Sequence, residues 1–230
     1  MIRCVMFYFG NVLVHFNTKQ WYDFVSSNRR MSPGLIEPEE FFRTEGAGDF
    51  DLGNINTTEF VRGAKSALGL NHVSDNVFLS ELTYIMKPDP KMLPVVKILK
   101  QNGFKLALVS NINEHHHWYT SVTFPEVFAD FNYLMLSFKR RCKKPDREMW
   151  DVPAAFFDVE PPECFFIDDL QVNIDAFERW GGVGHYYNVT DDRFCPNGRL
   201  ETERNRLILR MVNLGMLSLS QAGSIVRIDF

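Results

Sequence analysis

Long apolar runs are missing from this chain: nothing reaches the roughly 18 consecutive residues that a membrane-crossing helix requires. The opening stretch Met1–Val14 is apolar but short, with neither a basic flank nor a small-residue cleavage site, so it does not read as a secretory leader. Cysteine is scarce, and Cys4, Cys142, Cys164 and Cys195 lie far apart with no Cys-x-x-Cys pair. That spacing argues against a zinc site or a disulfide framework and for reduced thiols. A basic block is absent as well: 25 Lys and Arg face 29 Asp and Glu, a net charge of −4, which lacks the electrostatic footprint of a nucleic-acid binder. The expectation is a cytoplasmic protein with no membrane and no nucleic-acid partner. Two glycosylation patterns, Asn56-Thr57-Thr58 and Asn188-Val189-Thr190, count for little without a leader.

What is present suits a packed α/β protein. A chain of 230 residues with 45% apolar side chains, 21 of its residues Phe, can bury about 70% or more of its unfolded surface. Ile2–Phe9 is a nearly all-apolar run ending at Gly10-Asn11, as expected of a strand covered on both faces. From Asn17 to Thr83 the texture is helical, in pieces at Lys19–Asn28, Glu39–Thr44, Thr57–Leu68 and Ser74–Tyr84. Asn56 followed by Glu59 gives the third piece a capping start. Asp49, Asp51 and Gly53 superficially suggest a calcium loop but do not keep its spacing.

Beyond Pro88-Asp89-Pro90 the pattern alternates. Helices are expected at Met92–Gln101, Glu148–Phe157 and Gln171–Trp180, and strands at Phe104–Val109, Phe131–Leu136, Cys164–Ile167 and Val183–Tyr187. Right-handed crossovers open all strand ends on one edge, where ligands bind. Tyr8 to Asn11, Ser110 to Asn113 and Asp168-Asp169 fall there, with Lys144 held before Pro145 at the start of a helix. A hydroxyl and turn amides at Ser110-Asn111 suit an anion, and paired carboxylates at Asp168-Asp169 call for a cation or hydrogen bonds, although an acidic helix cap would look the same.

In chain order, Phe7-Tyr8-Phe9-Gly10-Asn11-Val12-Leu13, Leu108-Val109-Ser110-Asn111, Lys144-Pro145-Asp146 and Phe166-Ile167-Asp168-Asp169 with Asn173 resemble motifs one to four of the haloacid dehalogenase superfamily. The nearest branch is phosphatase-like, with a first motif Asp-x-Gly-Asn-Val. The resemblance implies a Rossmann-like parallel sheet core flanked by helices, made of residues 1–16 and 85–190, a small all-helical cap over 17–84 inserted after the first strand, and a C-terminal helical extension over 191–230. It implies magnesium-dependent hydrolysis of a small phosphorylated metabolite through an aspartyl-phosphate. Ser110, Asn111 and Lys144 would hold the phosphoryl group, and Asp168 and Asp169 the magnesium. Gly10 stands where many relatives carry a general acid, although this branch often has glycine there.

Tyr8 breaks the pattern, standing where the family keeps its nucleophilic aspartate. A phenol with a reference pKa near 10 is protonated at neutral pH, and its oxygen reaches several ångströms farther than a carboxylate. Activity is therefore expected to be lost or impaired and magnesium binding weakened, with a non-catalytic ligand- or partner-binding protein as the alternative. The ring is expected to fill the phosphoryl site, its hydroxyl bonded to Asp168, Asp169 or Lys144. His115-His116-His117 cannot converge on one ion from consecutive helix positions, and His15 reads as a hinge residue or a substrate contact. Arg199–Asn213 and Ser218–Val226 read as tail helices packed on the core or on a second subunit of a homodimer, faintly like the opening of a helix-turn-helix but with no room for a recognition helix.

Overall fold

The computed structural model describes residues 1–189 and 199–226, of which 199 and 200 by backbone alone. Thr190, Cys195 and the flanks of the tail at 191–198 and 227–230 lie outside the described residues. The chain opens with β1 (Cys4–Phe7), whose four side chains are all 0% exposed. That is the condition for which an all-apolar strand is selected. A short strand β2 (Val14–Phe16) follows, then α1 (Thr18–Asn28), α2 (Glu45–Asp51), α3 (Thr57–Leu68) and α4 (Asp75–Tyr84), and the chain returns through β3 (Met86–Pro88). The remaining elements alternate: α5 (Leu93–Gln101), β4 (Lys105–Ser110), α6 (Glu114–Thr123), β5 (Tyr133–Leu136), α7 (Ser137–Arg140), α8 (Glu148–Phe157), β6 (Cys164–Asp168), α9 (Gln171–Trp180) and β7 (Val183–Tyr186).

Among the described residues the sheet has five parallel strands in the order β5-β4-β1-β6-β7, with Cys4 opposite Lys105 on one side and Cys164 on the other. The anticipated strands and most anticipated helices are present. Local chemistry explains the sharpest boundaries. Asn56 and Glu59 form a complete capping box on α3, and Gly69 ends that helix at φ 74°, where a Cβ would meet the Arg30 carbonyl at 2.6 Å.

One expected helix, Glu39–Thr44, is instead a single 3-10 turn at Phe41–Arg43. The physical reason is Thr44, whose hydroxyl accepts the Ala47 N–H and so starts α2 instead of ending a helix. The β2–β3 pair was not anticipated either. It is antiparallel, pairs Val14 with Pro88 and Phe16 with Met86, and ties the two chain crossings into the helical segment together.

Two further helices, α10 (Arg199–Asn213) and α11 (Leu219–Val226), pack on the core. Leu207 and Met211 are fully buried, Asn102 at the end of α5 donates to the Met216 carbonyl at 3.0 Å, and Gln221 donates to Asn102 at 2.8 Å. Among the described residues no helix is long and apolar enough to cross a membrane.

Candidate functional site

Parallel strands place the residues that follow β1, β4 and β6 on one edge, and these are the polar positions singled out in the sequence. Tyr8 continues β1, its N–H donating to the Ile167 carbonyl at 2.9 Å. Its ring lies against Lys144, whose Nζ is 3.4 Å from the ring centroid, a cation–π contact in a desolvated setting. Lys144 therefore meets Tyr8 through the face of the ring. The phenol folds back across Gly10, where a Cβ would come within 2.8 Å of its oxygen, so glycine is what the ring tolerates there.

Lys144 also makes an ion pair with Asp168, Nζ to Oδ2 at 2.5 Å, with both side chains 0% exposed. Burial pushes the Lys144 ammonium below its ordinary range, against the opposing pull of Asp168 and Asp169. The other oxygen of Asp168 accepts the Leu170 N–H and the Asn173 amide, each at 2.9 Å. Asp169 accepts from Asn11 Nδ2 at 2.5 Å. Asn111 exchanges two bonds with the Lys144 backbone, at 2.8 and 3.2 Å, and so braces the lysine loop. Ser110 is fully buried, its hydroxyl 3.4 Å from the Asn111 carbonyl.

The magnesium that the sequence resemblance implies needs near-octahedral oxygen ligands, several of them carboxylate. The residues present do not fit it. Both oxygens of Asp168 are committed to a cation and hydrogen bonds, and one oxygen of Asp169 is held by Asn11, which leaves too few carboxylate ligands. Among the described residues no group of three His, Cys, Asp or Glu could hold a metal ion.

Beside this edge lies a cavity of about 290 Å³ between the sheet edge and the helical segment, near the lower limit of ligand pockets. Aromatic and aliphatic walls come from Phe16, Tyr22, Phe42, Phe50, Phe60 and Leu82. Its polar side is formed by Asn11, Asp51, Asn111 and Asn113. Asn113 caps α6 through its Oδ1 and donates to Asp51 at 3.1 Å. Burial pushes the Asp51 carboxyl up to about 6, against the opposing effects of Asn113 and Lys143. His116 also lines the cavity, and burial lowers its imidazole to about 3, so it is neutral.

The histidines diverge as helix geometry requires. His115 stacks on Trp118, His116 faces Phe16, and His117 packs against Phe128 and Phe138. His15 sits in β2 of the antiparallel β2–β3 pair with its Nε2 3.1 Å from Asp89, which also pairs with Arg204 of α10 at 3.1 Å. Sequence reasoning gave no role to Asp51 or Arg204, and named Asn113 only as the last of the polar positions after β4. They are brought to their partners by segments 62 to 115 residues away, a convergence that no local pattern records.

Comparison with known proteins agrees with this architecture. Over 144 residues, 59% of this chain and 68% of the relative, the sequence is 24% identical to the sesquiterpene phosphatase astK of Aspergillus oryzae. A haloacid dehalogenase family enzyme from Bacteroides thetaiotaomicron, crystallised with magnesium and inorganic phosphate, superposes with a TM-score of 0.72 at 21% identity, covering 84% of this chain and 97% of that one. A predicted hydrolase of the same family from Porphyromonas gingivalis gives 0.69 at 21% identity, covering 81% and 91%. The family model for haloacid dehalogenase-like hydrolases matches residues 11–181, beginning just after Tyr8. That match spans well over half of the chain, and the protein belongs to the haloacid dehalogenase-like hydrolase family.

Proposed function

We propose that this chain is a catalytically silent phosphatase-like member of its family, with Tyr8 in the nucleophile position and the cavity beside it kept as a ligand pocket. The observation that carries the reading is the Tyr8 ring under the Lys144 ammonium, while Asp168 is fully engaged. A phosphoryl group needs a cation free to meet it and a nucleophile in line behind it. Here the lysine is enclosed by a carboxylate and a ring, and a phenol supplies no carboxylate for an acyl-phosphate. In this reading residues 1–16 and 85–190 are the core, 17–84 a helical cap roofing the pocket, and 191–230 an extension whose helices α10 and α11 buttress the core. The aromatic walls and the similarity to a sesquiterpene phosphatase support an apolar organic skeleton for the ligand.

The test is release of inorganic phosphate from a panel of phosphate monoesters, prenyl phosphates included, with magnesium, by the natural chain, Tyr8→Ala and Tyr8→Asp. The natural chain and Tyr8→Ala should stay at background. Tyr8→Asp supplies the missing carboxylate and should exceed them by about 10³-fold or more. Magnesium-dependent turnover by the natural chain would overturn the reading, as would equal inactivity of all three with the fold intact.

A further inference from the structure

We propose that the Phe60 ring sets the length of the apolar skeleton this chain accepts, because it divides the cavity beside Tyr8 from a second cavity that would otherwise prolong it. The proposal deepens the proposed function and rests on its reading of the first cavity as a pocket for an apolar ligand. The second cavity, of about 250 Å³, lies within the helical segment. Of its eleven lining residues only Thr44 and Glu59 carry polar side chains. Phe60 and Ala47 line both cavities, whereas Phe50 lines only the first of the two and Phe41 only the second. The Phe60 ring lies between them, stacked on Phe50 at 4.1 Å and 14° and tilted against Phe41 at 5.8 Å. The partition between two apolar spaces is therefore one ring and one methyl group.

That ring is held in place. Phe60 is 5% exposed, and Phe78 joins Phe41 and Phe50 around it at 6.5 Å, so contacts with three other rings fix its position. A hydrocarbon entering an apolar cavity gains about fourfold in affinity for each methylene it buries. The gain stops when the chain meets a wall that it cannot displace. Further methylenes then stay in water or fold back. The space behind the wall is open to test from its own side: Gly63 lines the second cavity from α3, and a Cβ there would meet nothing within 4 Å. A larger side chain at Gly63 would fill that cavity, and replacing a glycine inside a helix also favours α3.

The experiment is titration of the purified full chain with the 1-alkanols from butanol to tetradecanol, each below its solubility limit, by displacement of a fluorescent apolar dye. The natural chain should gain about fourfold per methylene and then level off. Phe60→Ala should bind the short alkanols more weakly, having lost a wall, and the longest at least about tenfold more tightly than the natural chain, with the levelling point moved out by about two carbons or more. Phe60→Leu keeps an aliphatic side chain among the three rings and should move that point by about one carbon, so the proposal is tested even where the alanine variant does not fold. Adding Gly63→Leu to either variant should bring the levelling point back towards that of the natural chain. Affinity that rises without levelling in the natural chain, a levelling point unmoved in a folded Phe60 variant, or one that Gly63→Leu does not bring back would overturn the proposal. Binding of no alkanol at all would overturn it together with the ligand pocket beneath it. Release of phosphate from decyl phosphate with magnesium would instead overturn the silent-enzyme reading alone, since the length limit is decided by the alkanols.

Discussion

Two buried ion pairs, one at the sheet edge and one between the β2–β3 pair and α10, differ in what surrounds them. Lys144–Asp168 closes the sheet edge, with both side chains at 0% exposure and the outer face of the ammonium against Tyr8. Asp89–Arg204 sits where the β2–β3 pair meets α10, at 2% and 5% exposure, and Asp89 is shared with His15 and the Lys91 N–H. Each carboxylate has two further partners, the Leu170 N–H and Asn173 for Asp168, His15 and the Lys91 N–H for Asp89, but only the first pair is 0% exposed on both sides, with a ring in place of solvent. The second joins residues inside the family-matched segment to Arg204 outside it. The difference is between a pair sealed under an aromatic ring at the sheet edge and a strut that fixes α10 to the β2–β3 pair.

Removing the cation from each pair should expose the asymmetry. Lys144→Met leaves Asp168 buried without a counter-charge, a change that costs about 3–5 kcal/mol. Arg204→Met removes a cation that is 5% exposed beside a His15 that is 14% exposed, so water reaches Asp89 more easily, and it should cost about half as much, on the order of 2 kcal/mol. Urea denaturation of both variants measures the pair of numbers. Equal losses would show that the readier access of water to Asp89 does not matter.

The carboxylate of the strut titrates in a predictable direction. Burial alone would raise the Asp89 carboxyl, but the His15 hydrogen bond, Arg204 and the Lys91 N–H outweigh it and hold it below the usual range. A carboxyl depressed in the folded state contributes stability above its unfolded pKa, and that stability is lost as pH falls through the folded value. Asp89→Asn should therefore be destabilised by about 1–2 kcal/mol at pH 7, and the gap to the natural chain should narrow below about pH 4. A gap that stays constant into acid would mean that shape and not charge carries the contribution.

The sequence was most informative where one face or one cap decides the structure. The apolar runs at Cys4–Phe7 and Cys164–Asp168 are buried on both faces, and the Asn56–Glu59 box predicts the start of α3 to the residue. It was least informative where three residues suffice, as in β2 and β3, or where glycines blur a helix, as Gly46 and Gly48 do in α2. At the edge, Tyr8, Lys144, Asp168 and Asp169 could be named because each follows a recognisable strand or precedes a helix. Their arrangement could not, because whether Lys144 meets Tyr8 by its hydroxyl or its ring depends on how the side chain folds over Gly10. Asp51 was passed over as part of a failed calcium pattern, yet it lies at the end of α2 on the cavity wall.

Asp51 supplies the smallest and most specific contrast with the strut. Its carboxyl is raised to about 6 chiefly by burial, with Asn113 and Lys143 opposing, so the folded state holds the proton more tightly than the unfolded chain. For a raised carboxyl the sign is reversed from Asp89: its contribution is fully present below the unfolded pKa of about 4 and is lost as pH rises through about 6. Asparagine keeps an acceptor for the Asn113 amide and leaves the Asp51 carbonyl, which accepts the Ser137 hydroxyl at 2.6 Å, untouched. Asp51→Asn should then be more stable than the natural chain at pH 7.5, by on the order of 1 kcal/mol, and no more stable at pH 4. Thermal melts of both chains across that range test it, and a stabilisation that does not shrink toward acid would show that the desolvated carboxylate is not its source.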